Sequence, residues 1–328
     1  MMKMKLLMEN WRQFVNKAEL TERVKISDEE GAKYGQLLSQ AFEGGPAAVR
    51  QLMNSDIGKS IKFRKFLRVT GAQEMDGSTS DDVVTVRKDV RPVSKLVPTQ
   101  RFIDLNQSIG FPLGSADRLL QDIVQKKGFG PITVSGPYII DGHHRWSGIH
   151  SVAPDGTISV IDLDFKGDPA QKLAAAQIAV GAVDPRPQDA HPSKGGEAAA
   201  NILGASPDQI YGIIDKYQGK QLDKNAPGPI LGEPMIQQIA TDPQYRPIWD
   251  WAGYDPEGGQ VNPDDLAEAI KIRVAQNLGT LNAFPSGAPE RQDMPQLDHP
   301  TIGGKTGLEK IKATIAKGDI NLSPPFDS

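Results

Sequence analysis

Between residues 83 and 182 short β-like runs alternate with helical patterns, and this alternation constrains the fold more than any other feature of the chain. "VVTV" from Val83 reads as a strand. "VSKLVPTQ" (Val93 to Gln100) reads as extended chain, with Pro98 holding Val97 in β or polyproline geometry. "SADRLLQDIVQKKG" is expected to form a helix capped by Ser115 and ended at Gly128, with Leu119, Leu120 and Ile123 on its apolar face. "GPITVSGPYIID" reads as strand, turn and strand. "HHRWSGIHSV" has helical spacing, "TISVIDLDF" alternates as a further strand, and "DPAQKLAAAQIAVGA" is a strong helix. Together they specify an α+β domain over residues 83–182, a mixed sheet with helices.

The flanks read differently. Residues 1–82 are expected to be a helical segment. Leu6, Leu7, Trp11, Phe14 and Val15 form one amphipathic face over 5–19, and Ser27 with Glu30 has capping-box spacing. "GPAAVRQLMNSDIGKSIKFRKFLRVTG" continues as helix, break and helix, before the polar loop "GAQEMDGSTSDD". Residues 183–328 are expected to be a C-terminal helical domain with long Pro/Gly loops, entered through the linker-like "VDPRPQDAHPSKGGE". Its helices are read at "GEAAANILG", "SPDQIYGIIDKY", "PMIQQIAT" and "NPDDLAEAIKIRVAQNLGTL". The 33 Gly and 25 Pro among 328 residues fit domains joined by long loops.

Composition excludes some chemistry. Without cysteine there are no disulfides and no Cys-based zinc sites, which fits a reducing cytoplasm. His150, His191 and His299 have no ligand spacing to the His143–His144 pair. A formal charge of −4 speaks against indiscriminate polyanion binding and leaves room for a local basic patch. No window supplies the roughly 18 uncharged apolar residues of a membrane span, so no membrane partner is expected.

The junction "YIIDGHHRWSGI" is the candidate site. A helix that starts directly after a strand presents its first N–H groups and the positive end of its dipole, which together suit an anion. Gly142 permits close approach of a phosphate or a positive φ. Arg145 offers a planar fork for phosphate oxygens, and His143 and His144 could donate to phosphate or move protons. Asp141 could hold a magnesium-associated water or a ribose hydroxyl, and equally could be only a helix cap. Two adjacent helical histidines point about 100° apart. One can therefore face a ligand while the other packs or orients it.

The order of Val93, Leu96, Pro98 and Gln100, an amphipathic helix, Pro131, Ile132 and Val134, and then Asp141 to Arg145 resembles the ParB/sulfiredoxin domain, also called the ParB-like nuclease domain. The resemblance covers residues 83–182. It implies a ParB/sulfiredoxin-like sheet and nucleotide-phosphate binding at the turn, with Gln100 as a further phosphate-binding position. Three departures narrow it. The acidic–amide segment of the CTP-binding partition proteins is replaced by "AQIAVGAVDPRPQ". The catalytic cysteine of sulfiredoxins is absent. The glutamate of the free-serine kinases gives way to Pro98-Thr99-Gln100.

Two further features stand outside that domain. "GKSIKFRKFLRVTG" interleaves Lys62, Arg64, Lys65 and Arg68 with Phe63 and Phe66, which reads as a nucleic-acid backbone contact or as a solvated basic face with its phenylalanines in the core. The leader "MKLLMENWRQF" resembles the amphipathic leaders of proteins packaged into heads of large tailed phages, and Leu7-Met8-Glu9 fits the Leu-x-Glu pattern of their processing sites. The expectation is a protein that binds a nucleotide (ATP or CTP) or DNA at the turn, with magnesium at Asp141. Hydrolysis of a phosphoester, as a nuclease or nucleotide phosphohydrolase, would fall to Asp141, His143 and His144. The alternatives are a non-catalytic structural protein such as a virion component, and a serine-type kinase. The expected location is the cytoplasm of a bacterial or phage-infected cell, or the virion.

Overall fold

The structure, a computed structural model, describes residues 25–68, 85–183, 201–222, 226–281, 288–289, 293–295, 297, 309 and 311–313. The expected first helix, Leu7-Met8-Glu9, the loop after Gly71, the linker after Asp184, His191 and His299 lie outside these residues. Along the chain run α1 (Asp28–Glu43), α2 (Gly45–Asn54), α3 (Asp56–Lys59), α4 (Ile61–Phe66), β1 (Val86–Pro92), α5 (Leu105–Ile109) and α6 (Ala116–Gln125). There follow β2 (Ile132–Ser135), β3 (Tyr138–Asp141), α7 (His143–Val152), β4 (Thr157–Leu163) and α8 (Pro169–Val183). The last helices are α9 (Pro207–Tyr217), α10 (Glu233–Thr241), α11 (Arg246–Ala252) and α12 (Pro263–Leu278). The class is α+β.

The chain divides into two compact units. Among the described residues, the first unit holds those up to Val86, those from Phe165 to Val183 and those from Pro295 on, and the second those from Arg87 to Asp164 and from Asn201 to Met294. In the first unit, Ser27 and Glu30 close a reciprocal capping box at the start of α1. Tyr34, Phe63 and Phe66 meet edge-on in its core, with Tyr34–Phe63 centroids 5.3 Å apart. Gly181 of α8 lets Met53 approach, since a Cβ there would stand 2.5 Å from the Met53 sulfur.

The second unit holds the sheet, in strand order β1–β4–β2–β3. β2 pairs antiparallel with β3 and parallel with β4, and all four residues of β2 are buried. Sheet residues such as Ile132, Ile139 and Val160 share one apolar core with Ile210, Ile236, Ile248 and Ile270 from α9 to α12. The helices after Asn201 join this cluster through other helices, α12 packing on α7 and α11 on α6.

Three local readings are corrected. α6 ends at Gln125, with Lys126 as a left-handed cap at φ 48°, so Gly128 does not end the helix. Gly128 instead fits close against β4, where a Cβ would lie 2.8 Å from Ile158 Cγ1. Asn201 to Gly204, read as the end of a helix, form a β-bridge to Asp104 and a turn, because the Asn201 side chain ties down Ile103 and Leu203. The strand placed at Val83 runs over Val86–Pro92, among the described residues.

Candidate phosphate turn and adjoining pocket

The turn is built from the β2–β3 hairpin upward. Asp141 closes β3 opposite Thr133, and Gly142 turns the chain at φ 100°, ψ 23° into α7. A Cβ at Gly142 would meet Ile132 Cγ2 at 2.5 Å, so both conformation and space demand glycine. Gly142 is the N-cap, which leaves Asp141 outside the cap position; no side chain caps the helix. The Trp146 N–H donates to the Gly142 carbonyl at 3.0 Å, and the Trp146 indole N–H donates to Val93 O at 2.9 Å, fixing the helix on its buried side. The N–H groups of the first turn precede the intrahelical ladder and face out of the helix end.

The two histidines divide. His143 is 3 % exposed, and its Nε2 accepts the Thr99 N–H at 3.1 Å. An imidazole nitrogen that accepts a backbone N–H uses its lone pair there, so His143 serves the junction between 97–99 and α7 rather than a ligand at that nitrogen. Thr99 completes the junction by donating its hydroxyl to Ile139 O. Gln100, expected at the phosphate, is buried and donates to the Phe102 carbonyl inside its own loop. His144 faces the other way and lines a pocket. Arg145 folds back over the turn. Its Nη1 donates to Pro131 O at 2.6 Å, and Nη2 stands 3.3 Å from where a Gly142 Cβ would be.

The pocket, of about 220 Å³, lies between α5, α6, α7 and the Gly128–Gly130 loop, and it contains both His144 and Arg145. One wall is aromatic. Phe111 and Phe129 are nearly parallel, at 14° with centroids 6.1 Å apart, and Phe129 is 57 % exposed. The Arg118 guanidinium sits 4.9 Å from the Phe129 centroid and pairs with Asp122 one turn on, Nε to Oδ2 at 2.9 Å. Burial pushes the Asp122 carboxyl up to about 6, against the pull of Arg118. Gly148 lets α7 approach α5, since a Cβ there would lie 2.9 Å from Ser108 O, and Ser108 and Ser147 hydroxyls bond at 2.7 Å across that contact.

Arg118, Asp122, Phe111 and Phe129 were not among the sequence candidates. Their signals were present: an Arg–Asp pair at i,i+4, and an aromatic residue bracketed by Gly128 and Gly130.

The other candidates separate from the turn. Lys62 pairs with Glu30, Arg64 donates to Lys59 O at 3.1 Å, and Phe63 and Phe66 are buried, so neither ring is available to stack on a base. Lys65 lies in the last turn of α4 and Arg68 is exposed just beyond it. No group of three or more His, Cys, Asp or Glu side chains able to hold a metal ion occurs among the described residues. No helix among them is long and apolar enough to cross a membrane. Comparison with family models, with curated proteins and with solved structures returned no match.

Proposed function

We propose that the β3–α7 turn binds the phosphate oxygens of a nucleotide, with the first-turn N–H groups of α7 and the Arg145 guanidinium as donors. The observation that carries this reading is Gly142 at φ 100°, packed too tightly for any side chain, with Arg145 folded over the same turn. A helix N-terminus that no side chain caps, beside a guanidinium, suits tetrahedral anions. A nucleotide is favoured over a nucleic-acid backbone because the aromatic residues of the basic segment are buried and Lys62 is held by Glu30.

Binding has more support than turnover. Of the three residues assigned to proton and water handling, His143 is committed to Thr99. A second reading, a scaffold that performs no chemistry, is favoured by that same bond together with the internal bond of Gln100. Titration with inorganic tripolyphosphate, followed by backbone amide NMR, separates the two. Shifts centred on Gly142 to Arg145 are expected for the phosphate turn, and an unperturbed spectrum would leave the scaffold reading.

A further inference from the structure

The polar groups that line the pocket between α5, α6 and α7 are committed to partners within the protein. Arg118 holds both carboxylate oxygens of Asp122, Nε to Oδ2 at 2.9 Å and Nη2 to Oδ1 at 2.6 Å. The Ser108 hydroxyl bonds to that of Ser147 at 2.7 Å, and Arg145 Nη1 donates to Pro131 O. Gln107 and His144 are engaged as well. A polar ligand would give up its hydrogen bonds to water and meet groups already bonded to one another.

The remaining wall is apolar, made by Phe111, Pro112, Phe129 and Ile149. Phe129 is more than half exposed, yet its place is set by its neighbours. Gly128 leaves no room for a side chain against Ile158 and Ile149, and Gly130 turns the chain at φ 65°. The Arg118 guanidinium rests on the ring, 4.9 Å from its centroid. A phenyl ring held at a pocket in this way keeps apolar surface in water, at a cost that an apolar occupant removes. The volume, about 220 Å³, somewhat exceeds the roughly 150 Å³ of an apolar cavity that takes one benzene ring.

We infer that this pocket binds a hydrocarbon group of about six to nine carbons, ring or chain, held by burial and dispersion against the apolar wall. No hydrogen bond from the lining is needed, which is what the paired Arg118 and Asp122 and the paired serines leave available. The inference rests on the pocket alone and is independent of phosphate binding at the turn.

The test is amide NMR of the full chain titrated with toluene, with 1-hexanol and, as a polar ring of similar size, with uracil. Wild type, Phe129→Ala and Val124→Ala are compared. Phe129 is exposed, so its truncation spares the core, and Val124 is an exposed apolar residue that does not line the pocket. Toluene or 1-hexanol is expected to give saturable shifts centred on Phe111, Phe129 and Gly148. Binding should weaken about tenfold or more in Phe129→Ala and stay unchanged in Val124→Ala. Whichever of the two binds more tightly tells whether the pocket is shaped for a ring or a chain. No saturable shift with either, uracil binding as tightly as toluene, or equal affinity in Phe129→Ala would overturn the inference.

Discussion

The backbone N–H of Thr99 donates to Nε2 of His143 at 3.1 Å, with both residues buried. This bond ties the segment after Pro98 to the first residue of the helix that follows the Gly142 turn. His143→Ala leaves a buried amide without its acceptor, a loss of about 1–3 kcal/mol beyond any cavity term. Urea denaturation should register it, while tripolyphosphate affinity of the folded variant should stay near wild type. Undiminished stability would contradict the structural role.

Gly142→Ala forces a left-handed conformation on alanine and drives its Cβ to 2.5 Å from Ile132 Cγ2. Strain and overpacking together should cost about 2 kcal/mol or more. Ile132→Ala removes the clashing methyl, so the two substitutions should couple by more than about 0.5 kcal/mol in a double-mutant cycle. Strict additivity would place the strain elsewhere.

Arg118 and Asp122 form a pair with 19 % and 4 % of their side chains exposed. Removing the cation alone leaves a buried carboxylate, so Arg118→Ala should cost about 3 kcal/mol at pH 7.5 and much less at pH 5, where the already raised Asp122 carboxyl takes up a proton. Arg118→Leu with Asp122→Leu should cost less than Arg118→Ala by itself. Denaturation curves at the two pH values check both statements.

His150 is packed between α7 and α12, with Nε2 3.0 Å from Thr280 Oγ1, and burial lowers its pKa from 6.5 to about 4. The folded state then holds a neutral imidazole where the unfolded chain would bind a proton. Its contribution is complete above about pH 6.5 and is lost as pH falls toward 4. Asp122 acts in the opposite sense, its burial penalty easing as pH falls below 6. Wild type should therefore lose about 2–3 kcal/mol more between pH 7 and pH 4.5 than His150→Gln, which keeps the Asp122 effect. Equal losses would show that His150 does not titrate as a buried group.

Several features were legible because their signals are local. The capping box of Ser27 and Glu30, the hairpin around Gly136, and the start of α7 at His143 all depend on residues within a few positions of each other. The pocket was not legible, because Phe111, Asp122, Phe129 and His144 are brought together only by the packing of α5, α6 and α7. α6 was read for its apolar face, which hid the paired Arg118 and Asp122. The adjacent histidines show the same limit: helix geometry separates them by about 100°, but only the Thr99 contact decides which one turns inward. The packing of the last helices was hidden too, since nothing local in α11 or α12 states that their apolar faces meet α6 and α7.

The most direct measurement is a thermal-shift titration with inorganic tripolyphosphate on wild type, Arg145→Ala and Arg145→Lys. A ligand that binds only the native state raises Tm by mass action. Phosphate binding at the β3–α7 turn predicts a concentration-dependent rise for wild type, a reduced one for Arg145→Lys, which keeps the charge but loses the planar fork, and none for Arg145→Ala. Equal rises in all three proteins, or none in wild type, would contradict it.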